Sequence, residues 1–92
     1  MPRPKIKKLI SQNPKITFYK PRGIPLSKLK AIEITHEEWE ALRLKHVENL
    51  DQTASAQKMK SSQSTIQRIL ASAQKKLGRA VVQGKAIKII KD

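Results

Sequence analysis

The chain has 92 residues, a formal net charge of +13 and no cysteine. This length fits one domain with a small core, and without cysteine neither a disulfide framework nor a thiolate metal site can form. The opening MPRPKIKKLI lacks the apolar stretch and small-residue cleavage site of a secretory signal. No segment approaches the roughly 20 apolar residues that span a bilayer. The absence of cysteine is compatible with a reducing cytosol, and we expect neither a secretory signal nor a membrane-spanning segment.

The positive charge is concentrated in two blocks. Residues 1–30 contain nine Lys/Arg and no acid, residues 31–51 contain two basic and six acidic residues, and residues 52–92 contain nine basic residues and one acid. Such segregation favours a polyanion partner over a merely solvated basic surface. A membrane surface is the weaker alternative, because no helix pairs a basic face with a large aromatic one.

Residues 1–30 contain all five prolines of the chain, which excludes a long helix there. Residues 16–20, ITFYK, have the β-branched and aromatic character of a short strand. We predict a basic, Pro-rich N-terminal arm over residues 1–30 that is partly ordered, since interspersed apolar residues favour packing over a disordered tail. Its cations can enter the minor groove or follow the DNA backbone; they are Arg3, Lys5, Lys7 and Lys8.

The first helix is predicted to begin at Thr35, because Thr35 and Glu38 form a capping-box pair. Asn49 can adopt the left-handed conformation that ends a helix. Leu44 lies outside the apolar face of this helix, which suggests that the helix packs against a second part of the chain. That face consists of Trp39, Leu42, Val47 and Leu50 at helical spacing.

Two further helices follow, with Asp51 and Ser62 as their predicted N-caps. The third helix is long, about five turns, and Gly84 ends it. Residues 85–90, KAIKII, resemble a terminal strand that could pair with residues 16–20 or with residues 31–35. The apolar stripe predicted for the third helix is Ile66, Ile69, Leu70, Ala73, Leu77 and Val81.

A short helix, a tight turn and a second helix over residues 51–71 fit the DNA-binding helix-turn-helix. Ala56 would lie where the two helices cross, and Ile66 and Ile69 would anchor the second. The alternative is an ordinary amphipathic hairpin. The residues left pointing outward have side chains that can bind base edges or phosphates, apart from one alanine; they are Ser62, Gln63, Ser64, Gln67, Arg68 and Ala71.

The chain resembles uncharacterised protein family 0251, small prokaryotic proteins predicted to bind DNA through a helix-turn-helix similar to region four of sigma factors. The resemblance runs nearly end to end. It rests on MPRPK at the start, FYKPRGIPLSKL, THEEWEALRL, residues 52–59, residues 62–70 and GKAIKI near the end. It implies a cytoplasmic, nucleoid-associated protein, a DNA-binding activity and no known reaction.

The sequence departs from the family pattern at the turn, where the family has glycine and an apolar residue and this chain has Lys60 and Ser61. Lysine in a left-handed conformation costs about 1 kcal/mol, so we expect either a looser turn or a different geometry. Asn49 replaces a family glycine. The family's cysteine near the N-terminus is missing, so no redox or metal role carries over through it.

Individual residues are expected to have distinct roles. Arg68 is the best candidate for a base contact, whereas Lys60, Lys75 and Lys76 suit phosphates. Arg43 is expected to form a structural ion pair with an acid of its own helix, and Trp39 to lie in the core. Without cysteine partners, the two histidines do not make a zinc site. No nucleophile–base arrangement or phosphate-cradling glycine loop is present, so we expect neither an enzyme nor a cofactor.

The sequence thus predicts a mainly α domain over residues 31–92, with a three-helix helix-turn-helix, a long recognition helix and short terminal β-strands. The expected function is transcriptional regulation through double-stranded DNA. A homodimer is a further expectation, with Ala73, Leu77 and Val81 either at its interface or in the core. One alternative is an RNA-binding or ribosome-associated protein, which would need exposed aromatic residues. Another is a module that contacts an acidic protein such as an RNA polymerase subunit.

Overall fold

Helices form the middle of the chain and short strands lie toward its ends. A computed structural model describes residues 12–91, so the predicted arm contacts at Arg3, Lys5, Lys7 and Lys8 lie outside the described residues. The predicted mainly α fold with short terminal strands is confirmed. In chain order the elements are β1 (Phe18–Tyr19), a 3-10 helix (Leu26–Lys28), β2 (Ala31–Ile34), α1 (His36–Leu42), a π-helical turn (Arg43–Val47), α2 (Gln52–Met59), α3 (Gln63–Gln83) and β3 (Ala86–Ile89).

The three strands form one sheet with β3 in the centre. β1 pairs with β3 in antiparallel orientation, with Tyr19 opposite Ile87. β2 pairs with β3 in parallel orientation, with Ile32 opposite the same Ile87. The two pairings predicted as alternatives for the last strand therefore both occur, because a central strand has two edges.

The capping box of the first helix is confirmed. The Glu38 amide donates to Thr35 Oγ1 at 3.1 Å, and the Thr35 amide donates to Glu38 Oε1 at 2.9 Å. The helix then widens into the π-helical turn, in which the Glu48 amide donates to the Arg43 carbonyl at 3.0 Å.

This wider turn overturns part of the predicted apolar face. Leu44, which fell off the predicted stripe, is 0% exposed in the core, whereas Val47, placed on the stripe, is 69% exposed. A π-helical turn holds more residues than an α-helical one. The 3.6-residue period assumed for the prediction therefore fails after Arg43.

The main core lies between α1 with its π-helical turn, α2 and α3. Ala56 is buried between the helices, as predicted, and small side chains at such positions let helices approach closely. Ile66 of α3 is buried in the same cluster, and Ile69 packs against it. The core cluster consists of Ala41, Leu44, Ala56, Met59, Ile66 and Leu70.

The end of the predicted stripe on α3 is wrong at Val81, which is 76% exposed, and Ala80 is buried in its place. At about 100° per residue, Ala80 lies nearly two full turns after Ala73, whereas Val81 is rotated about 80° from it. Ala73 is itself buried within the chain, so it belongs to the intramolecular core and does not offer surface to a second copy.

Candidate nucleic-acid interface

The turn between α2 and α3 has a left-handed residue at Lys60, with φ 52° and ψ 53°. The Ser61 amide donates to the Ala56 carbonyl at 2.9 Å and so closes the end of α2. Ser62 begins α3 as its N-cap, since Ser62 Oγ accepts from the Thr65 amide at 3.2 Å. Lysine therefore occupies a conformation that usually favours glycine, and the tight turn is kept at a cost of about 1 kcal/mol.

The first turns of α3 present polar side chains to solvent and apolar ones to the core. Ile66 and Leu70 are buried, and this fixes the rotation of the helix. The residues predicted to point outward are all exposed: Ser62, Gln63, Ser64, Gln67, Arg68 and Ala71. Their orientation matches the prediction, and their role in binding stays a prediction.

The outward side chains differ in how far the protein itself engages them. Ser62 Oγ donates to Thr65 Oγ1 at 2.8 Å in addition to capping α3. Gln63 Nε2 donates to Thr53 Oγ1 of α2 at 3.0 Å. Within residues 12–91, Gln67 and Arg68 make no side-chain hydrogen bond or ion pair. Among these outward polar side chains, Gln67 and Arg68 can therefore bind a ligand without first losing a hydrogen bond or ion pair to the described part of the protein.

A polar hollow lies between the starts of α2 and α3 and the turn that joins them. It is open to solvent and has a volume of about 560 Å³. One predicted phosphate contact, Lys60, and one predicted base contact, Gln63, share its wall with residues that were not predicted to contact DNA. The lining residues are Thr53, Ala56, Gln57, Lys60, Ser61 and Gln63.

Carboxylates of the acidic middle block form intramolecular ion pairs, as predicted for Arg43. Arg43 Nε lies 2.8 Å from Glu40 Oε1, and Arg43 Nη1 lies 3.1 Å from Glu48 Oε2. The hydrogen bonds that Arg43 donates to Glu40 raise the pKa of the Arg43 guanidinium above its ordinary value, even though burial opposes this. These contacts neutralise part of the acidic block internally.

The ammonium group of Lys76 contacts other parts of the protein. Its Nζ lies 2.8 Å from Glu38 Oε1 and 2.9 Å from the Glu33 carbonyl oxygen. An ammonium group that already has these two partners ties α3 to α1 and β2. Lys76 therefore has a structural role, and its predicted phosphate contact stays a prediction.

Lys60, Arg68 and Lys75 differ from Lys76, since all three are exposed and make no ion pair with any residue in the range 12–91. Arg79, for which no role was predicted from the sequence, is exposed one turn after Lys75. At about 100° per residue, Arg68, Lys75 and Arg79 lie within about 40° of one another around α3. Helical spacing alone could have grouped Arg79 with Arg68 and Lys75; these three residues form an exposed basic stripe.

An apolar groove of about 530 Å³ lies elsewhere on the molecule. Trp39, expected in the core, is half-buried and forms part of its wall. Leu77, another wall residue, is rotated about 180° from Arg68 around α3, so the groove and the exposed basic stripe face different directions. The groove is lined by Tyr19, Trp39, Leu42, Val47, Leu77 and Ile87, among others.

The two histidines contact different residues. His36 Nε2 lies 3.1 Å from the Gln12 carbonyl oxygen, and His46 Nε2 lies 2.9 Å from Gln74 Nε2. No cluster of three or more potential metal ligands occurs in the part of the chain that the structure describes. None of the helices described over residues 12–91 has the length and apolar character needed to cross a membrane.

Comparisons with known proteins place this chain in a family. The family model described as "Protein of unknown function DUF134" matches residues 1–92. A UPF0251 protein of Caldanaerobacter subterraneus is 46% identical over 89 residues, which cover 97% of this chain and 75% of the relative. A UPF0251 protein of Dehalococcoides mccartyi is 47% identical over 89 residues, covering 97% and 76%. No solved structure matches the chain. The predicted membership of an uncharacterised family is confirmed: the chain is similar to the UPF0251 proteins and belongs to the family described as proteins of unknown function DUF134.

Proposed function

We propose that the protein binds double-stranded DNA and regulates transcription, with α3 as the recognition helix in the major groove. One observation carries the proposal. The left-handed turn at Lys60 and the buried Ile66 and Leu70 hold α3 so that the polar residues of its first turns, up to Arg68, face solvent together. A helix of this kind, exposed at its N-terminal end and preceded by a short helix, fits the major groove.

The side-chain chemistry of this face supports the proposal. Arg68 can donate two hydrogen bonds to guanine, and Gln67 can pair with adenine through its amide. Serine hydroxyls such as that of Ser64 suit phosphate oxygens. A face used only for solvation would not need this concentration of groups that match base edges.

Electrostatics supports it as well. The net charge is +13, and Glu38, Glu40 and Glu48 are engaged by cations of the same chain. Lys60, Lys75 and Arg79 are exposed on or beside the proposed face. Phosphate contacts by such residues supply affinity without sequence preference, whereas base contacts supply selectivity.

The proposed setting is the bacterial or archaeal cytoplasm, on the nucleoid, as for other DNA-binding regulators. A homodimer on paired half-sites would enlarge the interface of so small a domain. The spacing and symmetry of the DNA segment that the bound protein protects from cleavage would reveal such a dimer.

RNA binding is the second candidate, and one observation favours it. Phe18 and Tyr19 on β1 are exposed, and aromatic side chains on a strand can stack with unpaired bases. These residues lie on β1, whereas the polar base-matching residues lie on α3. Duplex DNA therefore explains more of the described surface.

Binding selection on random duplex DNA, with RNA as competitor and across a salt series, tests the proposal. We expect an enriched sequence motif, retention of duplex DNA against RNA, and an affinity that falls steeply with salt. If no motif is enriched and RNA displaces the duplex, DNA-specific regulation is wrong.

A further inference from the structure

A hydrogen bond joins the two helices of the proposed DNA-binding unit at their surface. Gln63 Nε2 donates to Thr53 Oγ1 at 3.0 Å. Thr53 is the second residue of α2, and Gln63 is the first residue of α3. Both residues are exposed, so the bond lies where a ligand can reach it, on the wall of the polar hollow.

This bond restricts a side chain that would otherwise sample many rotamers. A glutamine loses much conformational freedom when it binds a ligand. Holding the amide in place beforehand removes part of that entropic cost from the binding step. Thr53 is well suited to this role, since a β-branched threonine has only two favoured χ1 rotamers in a helix and its hydroxyl is presented by a regular helix.

The bond leaves a defined set of groups available on Gln63. An amide has two N–H donors and an acceptor oxygen. One N–H is used by Thr53, so Oε1 and one N–H remain. In the major groove, adenine offers an N6–H donor and the N7 acceptor, which the remaining pair of groups complements.

Lys60 supports the same ligand. It lines the hollow together with Gln63 and makes no ion pair with residues 12–91. When the Gln63 amide contacts a base, the neighbouring Lys60 ammonium group is placed to bind the phosphate beside that base. The hollow therefore combines one base-matching group and one phosphate-matching group.

We propose that Thr53 is a positioning residue that holds Gln63 for recognition of one adenine in the major groove. The proposal rests on the proposed DNA-binding function. It goes beyond that function because it assigns adenine as the base that Gln63 contacts, and because it names Thr53 as a residue that affects this contact without touching the base.

The test is binding selection on random duplex DNA with the wild type, four single variants and one double variant. Gln63→Ala should lower the preference for adenine at one position of the motif about tenfold. Thr53→Val, which removes the hydroxyl and keeps the shape, should lower the preference at that same position several-fold. Thr53→Ser keeps the hydroxyl and should retain the preference. Gln63→Glu should shift the preference from adenine toward cytosine, because a carboxylate accepts from cytosine N4.

A double variant, Thr53→Val with Gln63→Ala, separates positioning from a general structural role. It should be no worse at that position than Gln63→Ala alone, because Thr53 acts only through Gln63. Thermal unfolding of each variant without DNA shows whether the fold is intact, and exposure of both residues predicts that it is.

The outcomes distinguish the two proposals. A wild type that enriches no duplex motif and loses the duplex to RNA would refute the DNA-binding function itself. A wild type that keeps the duplex without enriching a motif would refute recognition of a base by Gln63. A wild type that enriches a motif that Thr53→Val leaves unchanged, or weakens equally at every position, would refute positioning by Thr53. A motif whose Gln63-dependent position prefers a base other than adenine would refute the assigned base.

Discussion

Lys76 Nζ lies 2.8 Å from Glu38 Oε1, so a cation in the middle of α3 contacts the carboxylate that caps α1. Ser72 Oγ, also on α3, donates to Glu38 Oε2 at 2.6 Å. One carboxylate thus accepts from the Thr35 amide and from two side chains of α3. This cluster fixes how α3 packs against α1. It thereby sets the direction in which the polar side chains at the start of α3, proposed to contact DNA, face solvent.

Replacement of Glu38 by Gln should lower stability most at neutral pH. Burial raises the pKa of the Glu38 carboxyl, but the hydrogen bonds from Lys76, Ser72 and the Thr35 amide outweigh it, so the pKa lies below 4.5. A lowered folded-state pKa gives stability that is present above the unfolded value and is lost as pH falls through the folded value. We expect a deficit of about 1–3 kcal/mol at pH 7.

Urea unfolding between pH 7 and pH 3 measures this deficit, which should shrink once the pH falls below 4.5. Glu33→Gln is the matched control, because Lys76 contacts the backbone carbonyl of Glu33 and not its carboxylate. A deficit for Glu38→Gln that stays constant over the whole pH range would contradict the role of its charge.

Leu44→Ala should destabilise the domain by about 2–5 kcal/mol, since it leaves a cavity beside Met59 and Ile66 in the core cluster. Val47→Ala, three residues later on the exposed side of the π-helical turn, should change stability by about 0.5 kcal/mol or less. Chemical denaturation measures both. Equal effects would mean that the π-helical turn does not set the two side chains apart.

Lys60→Gly should stabilise the domain by about 1 kcal/mol, because glycine has no Cβ to clash at a left-handed residue. Lys58→Gly, inside α2, should instead destabilise it by about 1 kcal/mol. Thermal unfolding without DNA measures both changes. If Lys60→Gly proved neutral or destabilising, the left-handed conformation would not carry the expected strain.

Arg68→Ala should lower affinity for the preferred DNA site by about 1–3 kcal/mol and relax selectivity at one base pair. Lys88→Ala, which removes an exposed cation from β3, serves as the control and should leave selectivity unchanged. Fluorescence anisotropy on the preferred site and on single-base variants gives both quantities. Equal weakening on all sequences would make Arg68 a phosphate contact.

Lys75→Ala should weaken binding to all duplex sequences alike and reduce the slope of log affinity against log salt by about 1. Its neighbour Lys76 provides the comparison, because it is paired with Glu38. Lys76→Ala should lower stability and leave the slope nearly unchanged. A slope that responds only to Lys76→Ala would reverse the two assignments.

Much of the local structure could be predicted from the sequence. Thr35, Asp51 and Ser62 all cap helices as predicted, and Gly84 ends α3 in a left-handed conformation. A cap depends on atoms within three residues of itself, so the chain needs no distant partner to specify it. The exposed face at the start of α3 was predictable for the same reason, because helical periodicity separates Arg68 from Ile66 and Leu70.

The remaining features depend on which elements meet. The π-helical turn moved Val47 outward and Leu44 inward, and a helical pattern with a constant period cannot show this. The pairing of Lys76 with Glu38 joins residues 38 positions apart, and the bond between Thr53 and Gln63 exists only because the starts of α2 and α3 lie side by side. The sequence by itself determined the helices, their ends and the polar face of α3, because those are set by short-range hydrogen bonds and periodicity. Only the tertiary structure decided which cations are exposed and which side chains are held in place, because that depends on packing between residues far apart in the chain.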